Sequence, residues 1–295
     1  MTNPVTAVIT THKREPAVVE RALKSILAQT HTNMQVIVVD DSPAEFPQRE
    51  AVAQMVQSYG VTYIPHETCQ GACVARNTGL SQATGEFIAF LDDDDEWVPE
   101  KIALQLEAFT SDAIGLVYCN HELLDETTGS RTPQSHQCYT GRVYGELIVD
   151  NFIGSTSFPL LRTAALREIG GFDPLMLSAQ DYDVWLRLSE KYEVAFVAQP
   201  LVTYHVHAGE QISKSFKKKI GGMERINAKN AEYLKKNRKA RWFRNLKLVP
   251  MYAGDGRLGK ALDLWLKMAF TCPLQVKENL RYLVRTVKSY RRRQK

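Results

Sequence analysis

Residues 90–97 read FLDDDDEW, four consecutive aspartates directly behind the apolar run EFIAF. Carboxylates this close repel one another, so the run calls for a cation. Side chains alternate between faces along a strand, so Asp92 and Asp94 share a direction if the strand continues. Two converging carboxylates make a hard oxygen site suited to Mg²⁺ or Mn²⁺, ions that usually take phosphate oxygens and water as further ligands. The same run would also serve as a solvated acidic turn capping a helix that starts at Pro99. Asp40-Asp41 ends a second apolar run, MQVIVVDD; it suits either a base or ribose contact or an Asx-turn into Ser42-Pro43. Arg76 carries the planar fork that pairs with phosphate, or forms a surface ion pair on a helix. Asp181 and Asp183, in SAQDYDVWLRLSE, suit proton abstraction from a hydroxyl nucleophile, or a cap over the turn after Ser178.

The segments that must carry these groups alternate between two periods. VTAVITT (5–11), MQVIVVDD (34–41), VTYIPH (61–66), EFIAFLDD (86–93) and IGLVYCN (114–120) read as strands. The stretches 15–29, 46–60, 71–83 and 99–110 read as helices between them, the first with Val18, Val19, Ala22, Leu23, Ile26 and Leu27 on one face. Strand–helix alternation predicts an α/β fold with a mainly parallel central sheet. Ligands in such sheets bind beyond the carboxyl ends of the strands. The clusters TTHKR, DDS and DDDDE close the first, second and fourth strands, so they are expected to meet in one crevice. Residues 121–160 read as a polar stretch followed by a helix near VYGELIVDN. Helices follow at 162–172 and 179–192, and one or two strands at 193–207.

Composition sets the remaining bounds. With 295 residues, 44% hydrophobic and 24% charged, the chain is globular and long enough for a large domain with an appendage. No apolar run reaches the roughly 18–20 residues of a membrane span, and MTNPVTAVITT does not read as a secretory signal. Five scattered cysteines, with no CxxC pair, indicate neither a disulfide framework nor a zinc knuckle and fit reduced thiols in a cytoplasm. Residues 1–212 hold 13 Lys+Arg and 28 Asp+Glu, a net of −15. Residues 213–295 hold 24 and 5, a net of +19. The basic tail is expected to be helical and, through 259–295, either to pack its apolar face on the acidic body or to lie peripherally on an anionic membrane. No nucleic-acid recognition motif accompanies the charge.

Taken together, VTAVITTHKREPAVVERALKSILAQTHTNMQVIVVDDSP and GACVARNTGLSQATGEFIAFLDDDDEWVPEKI resemble the family 2 glycosyltransferases of the GT-A fold. The likeness is strong over about residues 4–110 and resumes at FPLLRTAALREIGGFDP, SAQDYDVWLRLSE and LVTYHVH. It implies a Rossmann-like GT-A domain over 1–212 with a donor half (1–110) and an acceptor half (111–212), followed by a basic helical region (213–295). It also implies inverting, Mg²⁺- or Mn²⁺-dependent transfer from a nucleotide-diphosphate sugar, UDP-sugars first, to a saccharide or lipid-linked hydroxyl in surface polysaccharide synthesis. Position by position, it implies that Asp94 ligates the metal, with Asp92 and His207 as further ligands. Thr10, Thr11, Asp41, Arg76, Asp92 and Asp93 would line the nucleotide, with Asp41 on the base. Asp181 would be the general base. Thr10-Thr11-His12-Lys13-Arg14 replaces the usual Pro-Thr-Tyr-Asn-Arg, Gln180 precedes the base where an acid is common, and His205 stands for an arginine. Two alternatives share parts of the pattern: a sugar nucleotidyltransferase and a non-catalytic metal- or glycan-binding module. The former would more often show a glycine-rich loop after the first strand, and THKREP has no glycine.

Overall fold

The computed structural model describes residues 3–135, 138–206 and 215–271. Elements run β1 (Val5–Thr11), α1 (Pro16–Leu27), β2 (Met34–Asp40), α2 (Arg49–Ser58), β3 (Thr62–Pro65), α3 (Ala72–Gln82), β4 (Phe87–Asp92), β5 (Glu96–Trp97) and α4 (Lys101–Glu107). There follow β6 (Ile114–Asp125), β7 (Arg131–Gln134), α5 (Tyr144–Leu147), β8 (Leu160–Arg162), α6 (Thr163–Glu168), α7 (Gln180–Lys191) and β9 (Glu193–Val206). Four more helices among the described residues are α8 (Phe216–Lys229), α9 (Ala231–Lys236), α10 (Arg238–Gly254) and α11 (Leu258–Thr271). Among the described residues, one compact unit comprises 3–147, 151–174 and 181–206, and a second comprises 148–150, 175–180 and 215–271.

The first unit is built on one mixed sheet of order β3-β2-β1-β4-β8-β6-β9-β5, with β7 on the far end of β6. The strands β3, β2, β1 and β4 are mutually parallel, as the alternation of periods predicts, and β9 runs parallel to β6. Three strands that the apolar periods do not mark, β5, β7 and β8, pair antiparallel. β1 is central because it can be: Val5, Ala7, Val8 and Ile9 are wholly buried, so both faces are apolar. Pro16 opens α1, where its missing N–H costs nothing, and Val19, Ala22, Leu23 and Ile26 join the core beneath. The expected strand at 114–120 extends to Asp125, and 193–206 forms one strand rather than two.

The polar end of the sheet is held in place by a close helix–strand approach. α3 crosses β1 at Gly79, where an added Cβ would lie 2.4 Å from Val8 Cγ1. Val8 is a stiff β-branched core residue with no room to yield. Gly79→Ala is therefore expected to destabilise the protein by about 1–3 kcal/mol through overpacking, although alanine is the better helix former. Urea unfolding checks the sign.

In the second unit, Ser215 Oγ accepts from the Lys218 amide at the start of α8 and Asn237 Oδ1 from the Ala240 amide at the start of α10. These caps satisfy orphan helix donors. Trp242, Leu246 and Val249 of α10 are buried, and Arg244, also buried, bonds Asn227 Oδ1 at 2.7 Å. Ala261 and Met268 of α11 turn inward, whereas Leu258, Leu262 and Leu266 form an exposed stripe. The basic helix expected over 276–293 lies outside the described residues. Among those described, no helix is long and apolar enough to cross a membrane.

Candidate active site

Strand register alone brings the first groups together. Thr10 pairs with Asp92 across β1–β4 and Thr11 with Asp40 across β1–β2. Beyond Thr11 the chain turns sharply at Lys13, whose φ of +52° lies in the left-handed region; its amide donates to Ser42 Oγ at 2.7 Å. That turn delivers Arg14 to the acidic run. Arg14 Nε donates to Asp93 Oδ1 at 2.9 Å and its terminal nitrogen to Asp94 Oδ2 at 2.5 Å. The three polar strand ends thus converge, as their sequence positions imply.

The aspartates are not equivalent. β4 stops at Asp92, and the Asp95 amide donates back to the Asp92 carbonyl at 3.0 Å. A turn therefore interrupts the strand alternation before Asp94. Asp92 accepts from Arg76 at 2.8 Å, Ser155 Oγ at 3.1 Å and Thr156 Oγ1 at 3.0 Å. Asp93 and Asp94 share Arg14. Asp93 is 6% exposed, and burial pushes its carboxyl up to about 6, with Asp94 adding to the rise and Arg14 and Thr11 opposing it. Asp95 is fully buried against Ser157 Oγ at 2.6 Å and is raised well above the carboxylate range by burial and then by Asp92. Asp92, Asp93 and Asp94 draw on two arginines, Arg76 and Arg14, and their oxygens are hard ligands of the kind Mg²⁺ or Mn²⁺ takes, although the described group of three already close enough to share one ion lies elsewhere.

Asp41 occupies a different environment. Its carboxylate accepts from the Gln70 and Gly71 amides, each at 2.7 Å, from the Cys69 thiol at 3.3 Å, and contacts His66 Nδ1 at 2.7 Å. Gly71 makes this possible: its φ of +92° turns two successive amides toward the acid ahead of α3. Burial alone would raise Asp41, but these donors outweigh it and hold the carboxyl below its ordinary value. Asp40 is also engaged, by the Ser42 amide and the Tyr63 hydroxyl. His12, Asp41 and Cys69 each offer one ligand atom, all within 4.8 Å of one another, and so form a candidate metal-ligating cluster. Thiol and imidazole make it softer than the aspartate run.

Asp181 lies in the first turn of α7, after a left-handed Ala179 (φ +54°). Burial raises its carboxyl to about 6; Asp92 adds to the rise, while the Tyr182 amide and Arg76 oppose it. Asp181 therefore senses the same charges as the acidic run. Asp183 does not serve here: it pairs with Arg187 at 2.8 Å, and Arg187 also donates to the Ile169 and Gly171 carbonyls. His205 bridges Glu96 and Glu126, each at 2.9 Å. His207, expected as a metal ligand, lies outside the described residues.

Several partnerships escape a reading of the sequence. Arg14 is expected in the crevice with TTHKR and His66 at the end of the third strand, but neither with these partners, and Cys69 stands on a loop without periodic signal. Ser155, Thr156 and Ser157 fall in the stretch that periodicity leaves blank; their cluster of hydroxyls behind Gly154 is the only sign of them. Tyr204 is surrounded by Asp95, Asp92, Asp94 and Asp181, and burial followed by those charges strongly raises its hydroxyl.

Comparison with known proteins agrees with this geometry. The model for "Glycosyl transferase family 2" matches residues 6–170, which include β1, β2, β4 and the Ser155–Ser157 loop. A chain of Escherichia coli strain K12 named for a colanic acid biosynthesis glycosyl transferase, WcaA, is 32% identical over 208 residues, covering 68% of this chain and 72% of that one. The E. coli UDP-Glc:alpha-D-GlcNAc-diphosphoundecaprenol beta-1,3-glucosyltransferase WfaP is 29% identical over 203 residues, 67% and 76% of the two chains. Among solved structures, residues 1–349 of Staphylococcus aureus TarS in complex with UDP-GlcNAc superpose with a TM-score of 0.69 at 17% identity, covering 98% of this chain and 89% of that one. The mannosyltransferase PcManGT from Pyrobaculum calidifontis, with GDP-Man and Mn²⁺, gives 0.64 at 17% identity, over 98% and 84%. The fold is GT-A-like, and the chain belongs to glycosyl transferase family 2, enzymes that move a sugar from a nucleotide-sugar donor to an acceptor.

Proposed function

We propose that this glycosyltransferase is an inverting, metal-dependent enzyme that transfers a sugar from a UDP-sugar to a hydroxyl of a saccharide or lipid-linked acceptor during surface polysaccharide synthesis. The observation that carries the reading is one carboxyl, Asp181, raised to about 6 by burial and by Asp92, beside hard-oxygen groups that need a cation. A carboxylate near that value takes a hydroxyl proton effectively at neutral pH. The acceptor oxygen then attacks the anomeric carbon on the face opposite the leaving diphosphate, which inverts it. Asp94, with Asp92 and His207, would hold Mg²⁺ or Mn²⁺, whose Lewis acidity neutralises charge on the departing nucleoside diphosphate. Thr10, Thr11, Arg76, Asp92 and Asp93 line the nucleotide. Asp41 faces the base only by exchanging one of its four donors, and the weak Cys69 thiol at 3.3 Å is the easiest to release. Residues 1–110 form the donor half and 111–212 the acceptor half. The basic region 213–295 meets an anionic membrane surface, a role supported by the exposed stripe Leu258, Leu262 and Leu266 on a helix that carries Lys260 and Lys267 on another stripe.

A thermal-shift panel of UDP-Glc, UDP-GlcNAc and GDP-Man, each with and without Mn²⁺, tests the donor reading, because ligands that bind the folded state raise its apparent stability. A UDP-sugar is expected to raise Tm in the presence of Mn²⁺ and much less after chelation. No shift with any donor would remove the reading. Turnover of the donor that does shift separates an enzyme from a binding module.

A further inference from the structure

Arg14 holds Asp94, which the metal reading assigns to a cation, together with its neighbour Asp93. Its fork spans Asp93 at 2.9 Å and Asp94 at 2.5 Å. Asp93 is nearly inaccessible, while the Arg14 side chain is 28% exposed. The backbone beneath it is fixed, because Lys13 sits in a left-handed turn pinned by Ser42 Oγ. The side chain therefore has an outward path and the main chain does not need to move.

A guanidinium and a divalent cation compete for Asp94 Oδ2, since two positive charges at contact distance there repel. One must leave when the other arrives. The guanidinium is the mobile partner, and its five-donor planar fork matches phosphate as well as carboxylate. We infer that Arg14 is a tethered stand-in cation: it pairs Asp93 and Asp94, yields Asp94 to the divalent ion, and transfers its fork to the diphosphate. This rests on reading Asp92–Asp94 as the metal–diphosphate site.

The consequence is a coupling between two ligands. Divalent cation alone must displace Arg14 into water. Cation with diphosphate gives the displaced fork a new anionic partner, so each ligand tightens the other through this side chain as well as through direct metal–phosphate contact. Arg14 is thus a positioning residue for both.

The test is Mn²⁺ binding followed by electron paramagnetic resonance on the full chain, with and without UDP, corrected for Mn²⁺–UDP in solution. Arg14→Gln is expected to bind Mn²⁺ alone at least tenfold more tightly than wild type, and UDP is expected to improve that affinity at least tenfold less than it does in wild type. Arg14→Lys keeps the charge without the fork and falls between the two, which preserves the test if Arg14→Gln does not fold. Mn²⁺ affinity unchanged or weaker in the variants, with normal binding in wild type, removes this inference alone. Absence of Mn²⁺ binding to wild type even with UDP removes the metal-site reading and this inference together.

Discussion

Asp181→Asn is expected to lower kcat by about 10²–10⁴-fold, the usual contribution of a positioned general base, while leaving the Mn²⁺-dependent thermal shift with the donor largely intact. The substitution keeps the side-chain shape and removes only the ability to take a proton. A pH profile gives the sharper readout. Burial holds Asp181 near 6, above the ordinary carboxylate value, with Asp92 adding to the rise. Only the ionised form accepts the acceptor proton, so wild-type kcat should rise as pH passes through about 6 and then level off. That limb should vanish in Asp181→Asn, leaving a low rate without the inflection. Asp183 is not a substitute, since its carboxylate is committed to Arg187 at 2.8 Å. Full turnover by Asp181→Asn would assign the base elsewhere, and an unchanged inflection near 6 would assign that titration to another group.

Periodicity exposed the elements that bury both faces or one clean face. β1, β2 and β4 are continuous apolar runs because helices cover them, and the groups at their ends were legible for the same reason: once a strand is placed, its carboxyl end is placed too. The least legible stretch is 121–160, where only the helix near VYGELIVDN, present as α5, is expected. The outer half of β6, His121–Asp125, pairs with β7 at Arg131–Gln134 through mostly polar side chains, so no apolar alternation betrays it. β8 is three residues long, shorter than any window that detects a period, yet it lies between β4 and β6. That missed hairpin and short strand frame the segment that delivers Ser155, Thr156 and Ser157 to Asp92 and Asp95. Arg14 is expected in the crevice with the rest of TTHKR, but its partners are not. Nothing in THKREP signals which way a loop arginine turns; the left-handed Lys13 and the Ser42 hydroxyl decide that, and both are tertiary facts.

Asp94→Asn should be the more severe lesion for metal-dependent transfer, lowering kcat/KM by about 10³-fold or more, since metal stabilisation of a leaving diphosphate is worth several kcal/mol. Unlike Asp181→Asn, it should also weaken Mn²⁺ binding and abolish the metal-dependent part of the donor's thermal shift. Misfolding is not expected to explain the loss. Arg14 keeps its bond to buried Asp93, and removing Asp94 relieves one of the charges that, after burial, push the Asp93 carboxyl upward. The Arg14–Asp94 pair is itself partly exposed, at 28% and 20%, and pairs of that kind contribute little to stability. Tm without metal should therefore stay level or rise slightly while activity collapses. Chelation of wild type should reproduce the same collapse. If Asp94→Asn instead kept wild-type turnover and Mn²⁺ dependence, the ion would have to sit elsewhere, and among the described residues His12, Asp41 and Cys69 form a candidate cluster. That set is separable by metal preference: a thiolate and an imidazole suit Zn²⁺ and hold Mg²⁺ poorly, whereas carboxylate oxygens suit Mg²⁺ and Mn²⁺. An enzyme activated by Mg²⁺ and Mn²⁺, and silenced by Asp94→Asn but not by Cys69→Ser, places the working ion on the acidic run.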